Sequence, residues 1–113
     1  MVVILDSTLR EGELQPGVYF THKARSVIGR GLAEIGTKRI EFPIVYPGRG
    51  AGIEDIKSAT DEIQQCYSDV TTILQIRAYR DDIEVARKYD VGGCAIYQAP
   101  TEMHRRDKFR GLE

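Results

Sequence analysis

The chain has 113 residues, of which 42% are hydrophobic, enough for one small globular core and too few for two domains. Its formal net charge of −1 argues against a nucleic-acid partner or an anionic membrane surface, because both attract strongly basic proteins. No apolar stretch approaches the length that spans a bilayer or forms a secretory leader. Cys66 and Cys94 lack a C-x-x-C spacing, so we expect reduced cysteines in a cytoplasmic protein and no zinc-thiolate site.

The first predicted strand leads directly into charged residues. The apolar run Val2–Leu5 is typical of a parallel strand that is covered on both faces, and Arg10 and Glu11 follow its carboxyl end, where such sheets bind ligands. A carboxylate there can bind a hard cation or act as a base, and a guanidinium can hold a carboxylate or a developing enolate oxygen. The alternative is a solvated turn with a surface ion pair, which would contribute about 0–1 kcal/mol.

Helix and strand patterns then alternate along the chain. The predicted elements are a helix at Thr21–Ile35, a strand at Lys38–Pro43, a helix through Ile53 and Ile63, a strand at Val70–Ile76, a helix that opens at Asp81 and Asp82, and a strand at Gly93–Tyr97. The first helix has a Thr21 cap, a Gly36 stop and apolar positions at helical spacing, namely Ala24, Val27, Ile28, Leu32 and Ile35. This cadence predicts an α/β fold of repeated βα units with parallel strands.

Glu41 is a charged residue between the apolar neighbours Ile40 and Phe42 of the predicted second strand. If that strand is buried, the carboxylate needs a partner, and Arg10 at the neighbouring strand end or a metal ion would provide one.

Two other features favour structural interpretations. The glycine-rich segment Gly48–Gly52 lacks both the lysine of a P-loop and the spacing of a dinucleotide fingerprint, so we expect a flexible connection. A basic cluster near the end is expected to be a solvated loop or helix face, with phosphate binding as the alternative; it comprises Arg105, Arg106, Lys108 and Arg110.

Four segments in this order resemble a known family. The sequence DSTLREGE at Asp6–Glu13, followed by Pro-Gly and an amphipathic helix, resembles the amino-terminal signature of the DRE-TIM metallolyase superfamily, in particular its condensing branch of isopropylmalate, citramalate and homocitrate synthases. The other matching segments are Arg39–Glu41, Arg77-Ala78 with Asp81–Ile83, and Pro100–His104. The resemblance implies that residues 1–113 form the amino-terminal half of a TIM barrel.

The resemblance also implies a reaction, in which acetyl-CoA condenses with a 2-oxo acid bound to a divalent metal (Mg, Mn or Zn), as in amino-acid biosynthesis. Glu11 would be a metal ligand, and Arg10 would polarise the ketone or stabilise the developing alkoxide. Four residues would bind the 2-oxo acid, namely Glu41, Arg77, Thr101 and His104. Two departures from the family pattern are Leu14, where the family has Gln, and Gln75, where homocitrate synthases have His.

Length separates this chain from a complete barrel, which takes roughly 250 residues. The family's His-x-His metal pair, which comes from a later strand, does not occur in this sequence. We therefore expect the chain alone to be catalytically silent and to associate as a homo-oligomer or with a complementing half-barrel. The alternatives are a non-catalytic half-barrel or assembly fragment of a split enzyme, and an acyl-CoA lyase that performs retro-aldol cleavage.

Overall fold

The structure is a computed structural model that describes residues 1–43 and 53–108. Its elements in chain order are β1 (Leu5–Asp6), α1 (Thr8–Glu11), a 3-10 turn (Gly12–Leu14), α2 (His22–Glu34), β2 (Arg39–Pro43), α3 (Ile53–Cys66), β3 (Thr71–Arg77), α4 (Arg80–Ala86), β4 (Gly93–Tyr97) and α5 (Glu102–Lys108). The last three predicted strands and the three helices between strands are confirmed. The short helices α1 and α5 were not predicted.

The strands form a parallel sheet in the order β1-β2-β3-β4. Glu41 of β2 is in register with Ile73 of β3, and Arg77 at the end of β3 is in register with Tyr97 at the end of β4. Each strand therefore ends at the same edge of the sheet, and each is followed by chain that leads into a helix or turn. This arrangement confirms the predicted α/β fold of parallel βα units, as in the amino-terminal half of a TIM barrel.

One face of the sheet, which we call the outer face, packs against the helices. It carries the fully or nearly fully buried side chains of Ile40, Phe42, Leu74 and Ile76, and these form the core with residues of α2, α3 and α4. Burial of each such side chain contributes about 1.5–3 kcal/mol relative to exposure. Because side chains alternate along a strand, Glu41, Ile73, Gln75 and Arg77 occupy the opposite, inner face.

The ends of α2 follow the sequence signals. The Thr21 side chain accepts a hydrogen bond from the Ala24 N–H at 3.2 Å. At the other end Gly36 has φ of 95°, and the Thr37 N–H donates to the Leu32 carbonyl at 3.0 Å, which closes a Schellman motif. Thr21 and Gly36 therefore fix the length of the helix, as predicted.

The predicted buried face of α2 is partly wrong. Val27 and Ile35 are 51% and 80% exposed, whereas Arg25, Gly29 and Ala33 are buried. The physical reason is the close approach of α2 to α3, where a Cβ on Gly29 would lie 2.2 Å from Ile63 Cδ1. Small side chains occupy that contact, and the larger apolar residues lie beside it.

The first strand is also shorter and more exposed than predicted. Only Leu5 and Asp6 pair with β2, and Val2 and Ile4 are 89% and 69% exposed. Within the described residues β1 is the edge of the sheet, so no second neighbouring strand covers the apolar run. The strand buried on both faces that the sequence predicted is therefore wrong for residues 2–5.

Other predicted features have simple outcomes. Cys66 and Cys94 are free, and Arg105 and Arg106 are exposed on α5, as expected of a solvated helix face. The glycine segment Gly48–Gly52 and Arg110 lie outside the described residues. Within residues 1–43 and 53–108, no helix has the length and apolar character needed to cross a membrane.

Candidate functional site

Arg10 and Glu11 are held at the carboxyl end of β1 by a short helix. The Asp6 Oδ1 accepts the Thr8 N–H at 2.9 Å, and the Ser7 carbonyl accepts the Glu11 N–H at 2.8 Å. Leu9, between the charged pair and the strand, is fully buried and anchors this helix in the core. The result is a rigid turn that holds a guanidinium and a carboxylate at the edge of the sheet.

Glu41 reaches the same place from the next strand. Arg10 Nε donates to Glu41 Oε2 at 2.8 Å, and Arg10 Nη2 pairs with Glu11 Oε1. Glu41 is only 4% exposed, whereas the Glu11 side chain is 50% exposed. We call these three residues the Arg10 cluster. One guanidinium faces two carboxylates there, so the cluster has a net negative charge that favours a nearby cation.

A second ion pair, between Glu13 and Arg25, connects the segment after α1 to α2. Glu13 Oε1 accepts the Phe20 N–H at 2.9 Å and pairs with Nη2 of Arg25 from α2. Arg25 is fully buried, and its guanidinium lies 5.6 Å from the centre of the Tyr19 ring. Among the described residues, Arg25 Nε and Nη1 have no hydrogen-bond partner, so Glu13 is its principal electrostatic support.

Arg77 lies at the carboxyl end of β3 and is bound by α4. Asp82 Oδ2 accepts both the backbone N–H and the Nε–H of Arg77 at 2.9 Å, and Asp82 Oδ1 accepts from Nη2 at 2.6 Å. The Arg77 guanidinium also lies 5.7 Å from the centre of the Tyr79 ring. Burial and the Asp81 carboxylate raise the pKa of Tyr79, so its phenol stays protonated across the neutral range.

Thr101 and His104 follow the end of β4. The Thr101 Oγ1 accepts the His104 N–H at 3.2 Å, and the Thr101 carbonyl accepts the Arg105 N–H at 2.9 Å. Thr101 therefore caps α5, and both residues are exposed. These contacts account for the local helix, and a role for either residue in substrate binding stays a prediction.

The structure therefore joins three of the predicted site residues by direct contact, those of the Arg10 cluster. Arg77 ends β3 and Thr101 follows β4, so both lie at the same edge of the parallel sheet, and their contacts described above are to α4 and α5. The expected partner of Glu41 is present as Arg10. The chemical roles assigned to all six predicted residues stay predictions.

Sequence reasoning missed Asp82, Glu13 and Arg25 as supporting residues. Asp82 was predicted only as part of a helix start, although a carboxylate five residues after Arg77 was a usable signal. Arg25 has small residues four and eight positions later, Gly29 and Ala33, which marks a buried helix face around a charge.

The described residues supply only part of a metal site. Glu11 offers a half-exposed carboxylate, which suits a hard divalent cation. Within residues 1–43 and 53–108, no three His, Cys, Asp or Glu side chains are grouped to hold a metal ion.

Parallel βα units with charged side chains at the carboxyl ends of the strands are typical of βα-barrel proteins and of other parallel α/β folds. The family described as HMGL-like matches residues 1–111, and this chain belongs to that family. The resemblance to the DRE-TIM superfamily inferred from the sequence is thereby confirmed.

Three curated relatives carry the comparison further. Homocitrate synthase of Saccharolobus islandicus is 36% identical over 113 residues, which cover 96% of this chain and 23% of that protein. Homocitrate synthase AksA of Methanopyrus kandleri is 32% identical over 111 residues, covering 96% of this chain and 26% of the relative. Homocitrate synthase of Sulfurisphaera tokodaii is 36% identical over 111 residues, which cover 95% of this chain and 23% of that protein. The chain thus spans about a quarter of the length of these relatives.

Proposed function

We propose that this chain supplies the substrate-orienting strands of a metal-dependent barrel that condenses acetyl-CoA with a 2-oxo acid. The observation that carries the proposal is the Arg10 cluster. In it the buried Glu41 carboxylate fixes the Arg10 guanidinium beside the more exposed Glu11 carboxylate. Similarity to proteins named homocitrate synthase supports the same reaction class.

Arg10 has the geometry of an electrostatic catalyst. Its Nε is bound to Glu41, so the side chain is oriented before any substrate arrives, and little reorganisation is needed when negative charge develops nearby. In the proposed condensation that charge develops on the ketone oxygen of the 2-oxo acid as the new carbon–carbon bond forms. Arg10 would stabilise this oxygen, and Glu41 would hold Arg10 in position.

Glu11 would be a ligand of the divalent metal, which supplies Lewis-acid polarisation of the ketone when it is bound. Its exposure leaves the carboxylate accessible at the edge of the sheet. Its pairing with Arg10 means that a cation at Glu11 and the guanidinium would act on the same substrate atoms.

Arg77 would bind the carboxylate of the 2-oxo acid, because a planar guanidinium matches a carboxylate with two parallel hydrogen bonds. Thr101 and His104 would approach the substrate from the segment after β4. The whole assembly would be cytoplasmic and would use a second copy or further barrel strands to complete the site.

The test uses the full product of the gene, with CoA release from acetyl-CoA measured against a panel of 2-oxo acids and divalent metals. Glu11→Gln should reduce metal-dependent release at least 100-fold and weaken Mn²⁺ binding in calorimetric titration, because an amide is a poorer ligand for a hard cation. Glu84→Gln is the matched control, since it removes a carboxylate of similar exposure (60%) from the surface of α4.

Each outcome distinguishes the proposed synthase from its alternatives. Unchanged Mn²⁺ affinity in Glu11→Gln would remove Glu11 from the metal ligands. Formation of acetyl-CoA and a carbonyl product from a 3-hydroxyacyl-CoA, without CoA release from acetyl-CoA and any 2-oxo acid, would favour retro-aldol cleavage. Neither reaction by the full gene product under any metal would favour a non-catalytic assembly module.

A further inference from the structure

We propose that Asp82 is a positioning residue that orients the Arg77 guanidinium for recognition of the 2-oxo acid carboxylate. This inference rests on the proposed function, in which Arg77 binds that carboxylate. Asp82 was not among the site residues that the sequence predicted, and it comes from a helix rather than from a strand end.

The geometry of the pair carries the inference. Asp82 accepts three hydrogen bonds from one residue, two from the Nε and Nη2 edge of the guanidinium and one from the Arg77 backbone N–H. A carboxylate bound to both the backbone and the side chain of the same arginine fixes its rotamer as well as the plane of its head group. The pair therefore specifies an orientation, which a single surface contact would not.

The difference in burial indicates that Asp82 positions Arg77 and that Arg77 is the partner that meets the substrate. Asp82 is 2% exposed, whereas the Arg77 side chain is 22% exposed at the sheet edge. The carboxylate is thus enclosed in the protein, and the guanidinium extends from it toward the more open side. Because Asp82 binds the Nε and Nη2 edge, the plane and the direction of the whole guanidinium are fixed.

The local sequence makes this arrangement possible. Arg77 ends β3, and Asp82 lies in the first turn of α4, where a negative charge is favoured by the helix dipole. Tyr79 lies under the guanidinium, with its ring centre 5.7 Å away. The position of Arg77 at the end of β3, the Tyr79 ring and the Asp82 carboxylate together restrict the conformation of the arginine side chain.

The experiment compares Asp82→Asn, Asp82→Glu, Arg77→Lys and the control Glu84→Gln in the full gene product. Glu84 is the matched control because it is an exposed acid of the same helix and pairs with Arg87. The readouts are the KM for pyruvate and for 2-oxoglutarate, the KM for acetyl-CoA, and the exchange rate of the Arg77 Nε proton by NMR.

We expect Asp82→Asn to raise the KM for the preferred 2-oxo acid at least tenfold and to accelerate Arg77 Nε–H exchange, while the KM for acetyl-CoA changes less than twofold. Asp82→Glu keeps the charge but moves the carboxylate, so it should also raise the 2-oxo acid KM. A merely structural ion pair would be preserved in that variant, and a loss of structure would affect both substrates.

Two results would overturn the inference in different ways. If Arg77→Lys weakens 2-oxo acid binding and a folded Asp82→Asn does not, Arg77 recognises the carboxylate without help from Asp82. Should Asp82→Asn fail to fold, an unchanged KM in Asp82→Glu would exclude the positioning role equally well. If Arg77→Lys itself leaves 2-oxo acid binding unchanged, the proposed pocket fails, and the role of Asp82 fails with it.

Discussion

Arg10 and Glu41 lie 31 residues apart in sequence and are joined by a 2.8 Å bond from Nε to Oε2 across the first two strands. The bond connects an arginine that is 20% exposed to a carboxylate whose side chain is 6% exposed. Loss of Arg10 should therefore reduce stability more than loss of Glu41, because an unpaired Glu41 would be left almost without water.

Replacement of Arg10 by methionine should destabilise the chain by about 3–5 kcal/mol, since it leaves a buried carboxylate without its partner. The free energy of unfolding in urea measures the effect. Arg87→Met is the control, because Arg87 pairs with Glu84 at 3.4 Å on the surface and both side chains are more than half exposed. That control should change stability by less than about 1 kcal/mol. Equal effects of the two substitutions would contradict the burial argument.

In the Arg25–Glu13 pair the arginine is the more deeply buried partner, so we expect loss of the glutamate to reduce stability more than loss of the arginine. The arginine side chain is 1% exposed and the glutamate side chain 19%, so Glu13→Met leaves the more deeply buried charge unpaired. It should cost about 3–5 kcal/mol, and Arg25→Met should cost less. The double variant should be more stable than Glu13→Met alone, because no charge is then left buried. Urea unfolding of all three variants checks this order, and a double variant less stable than either single variant would contradict it.

The sequence predicted a partner for Glu41, either Arg10 or a metal ion, and the structure shows the Arg10 contact. A carboxylate between Ile40 and Phe42 in a strand must find a partner, and few cations lie near the end of the neighbouring strand. The alternation of strands and helices was predictable for a similar reason, because apolar periodicity and end signals such as Thr21 and Gly36 act locally.

Burial was less predictable, because it depends on which neighbours cover an element. Val2 and Ile4 have the composition of a buried strand and are exposed at the edge of the described sheet. Asp82 and Ile83 show the converse, since the acid is 2% exposed and the isoleucine 44%. A polar residue is buried there because Arg77 binds it, a contact that periodicity does not encode.

Two glycines in α2 give a matched prediction about packing. A Cβ on Gly29 would lie 2.2 Å from Ile63 Cδ1, whereas a Cβ on Gly31 would meet no atom within 4 Å. Gly29→Ala should therefore destabilise the chain by about 1–3 kcal/mol through overpacking. Gly31→Ala should stabilise it by about 0.5–1 kcal/mol, since alanine has the higher helix propensity. Thermal or urea unfolding measures both, and a Gly29→Ala protein as stable as Gly31→Ala would mean that the Ile63 side chain moves aside without cost.

Cys94 gives a prediction about pH. Partial burial on the outer face of β4 raises the pKa of its thiol above the ordinary value of 9.0, although the residue is exposed overall. Because the raised pKa favours the protonated form in the folded state, the associated stability is present below the ordinary pKa and is lost as pH rises through the folded pKa. The thiolate is the reactive species, so Cys94 should be alkylated more slowly at pH 8 than a free cysteine.

The measurement is the rate of iodoacetamide alkylation between pH 7 and 10.5 in the Cys66→Ser variant, which leaves Cys94 as the only thiol. The pH at the midpoint of the rate increase should lie above 9.0, the ordinary value. In denaturing urea the midpoint should fall to that of a free cysteine, because unfolding restores water around the thiol. A midpoint below 9.0 in the folded protein would mean that a nearby positive charge outweighs the burial of Cys94.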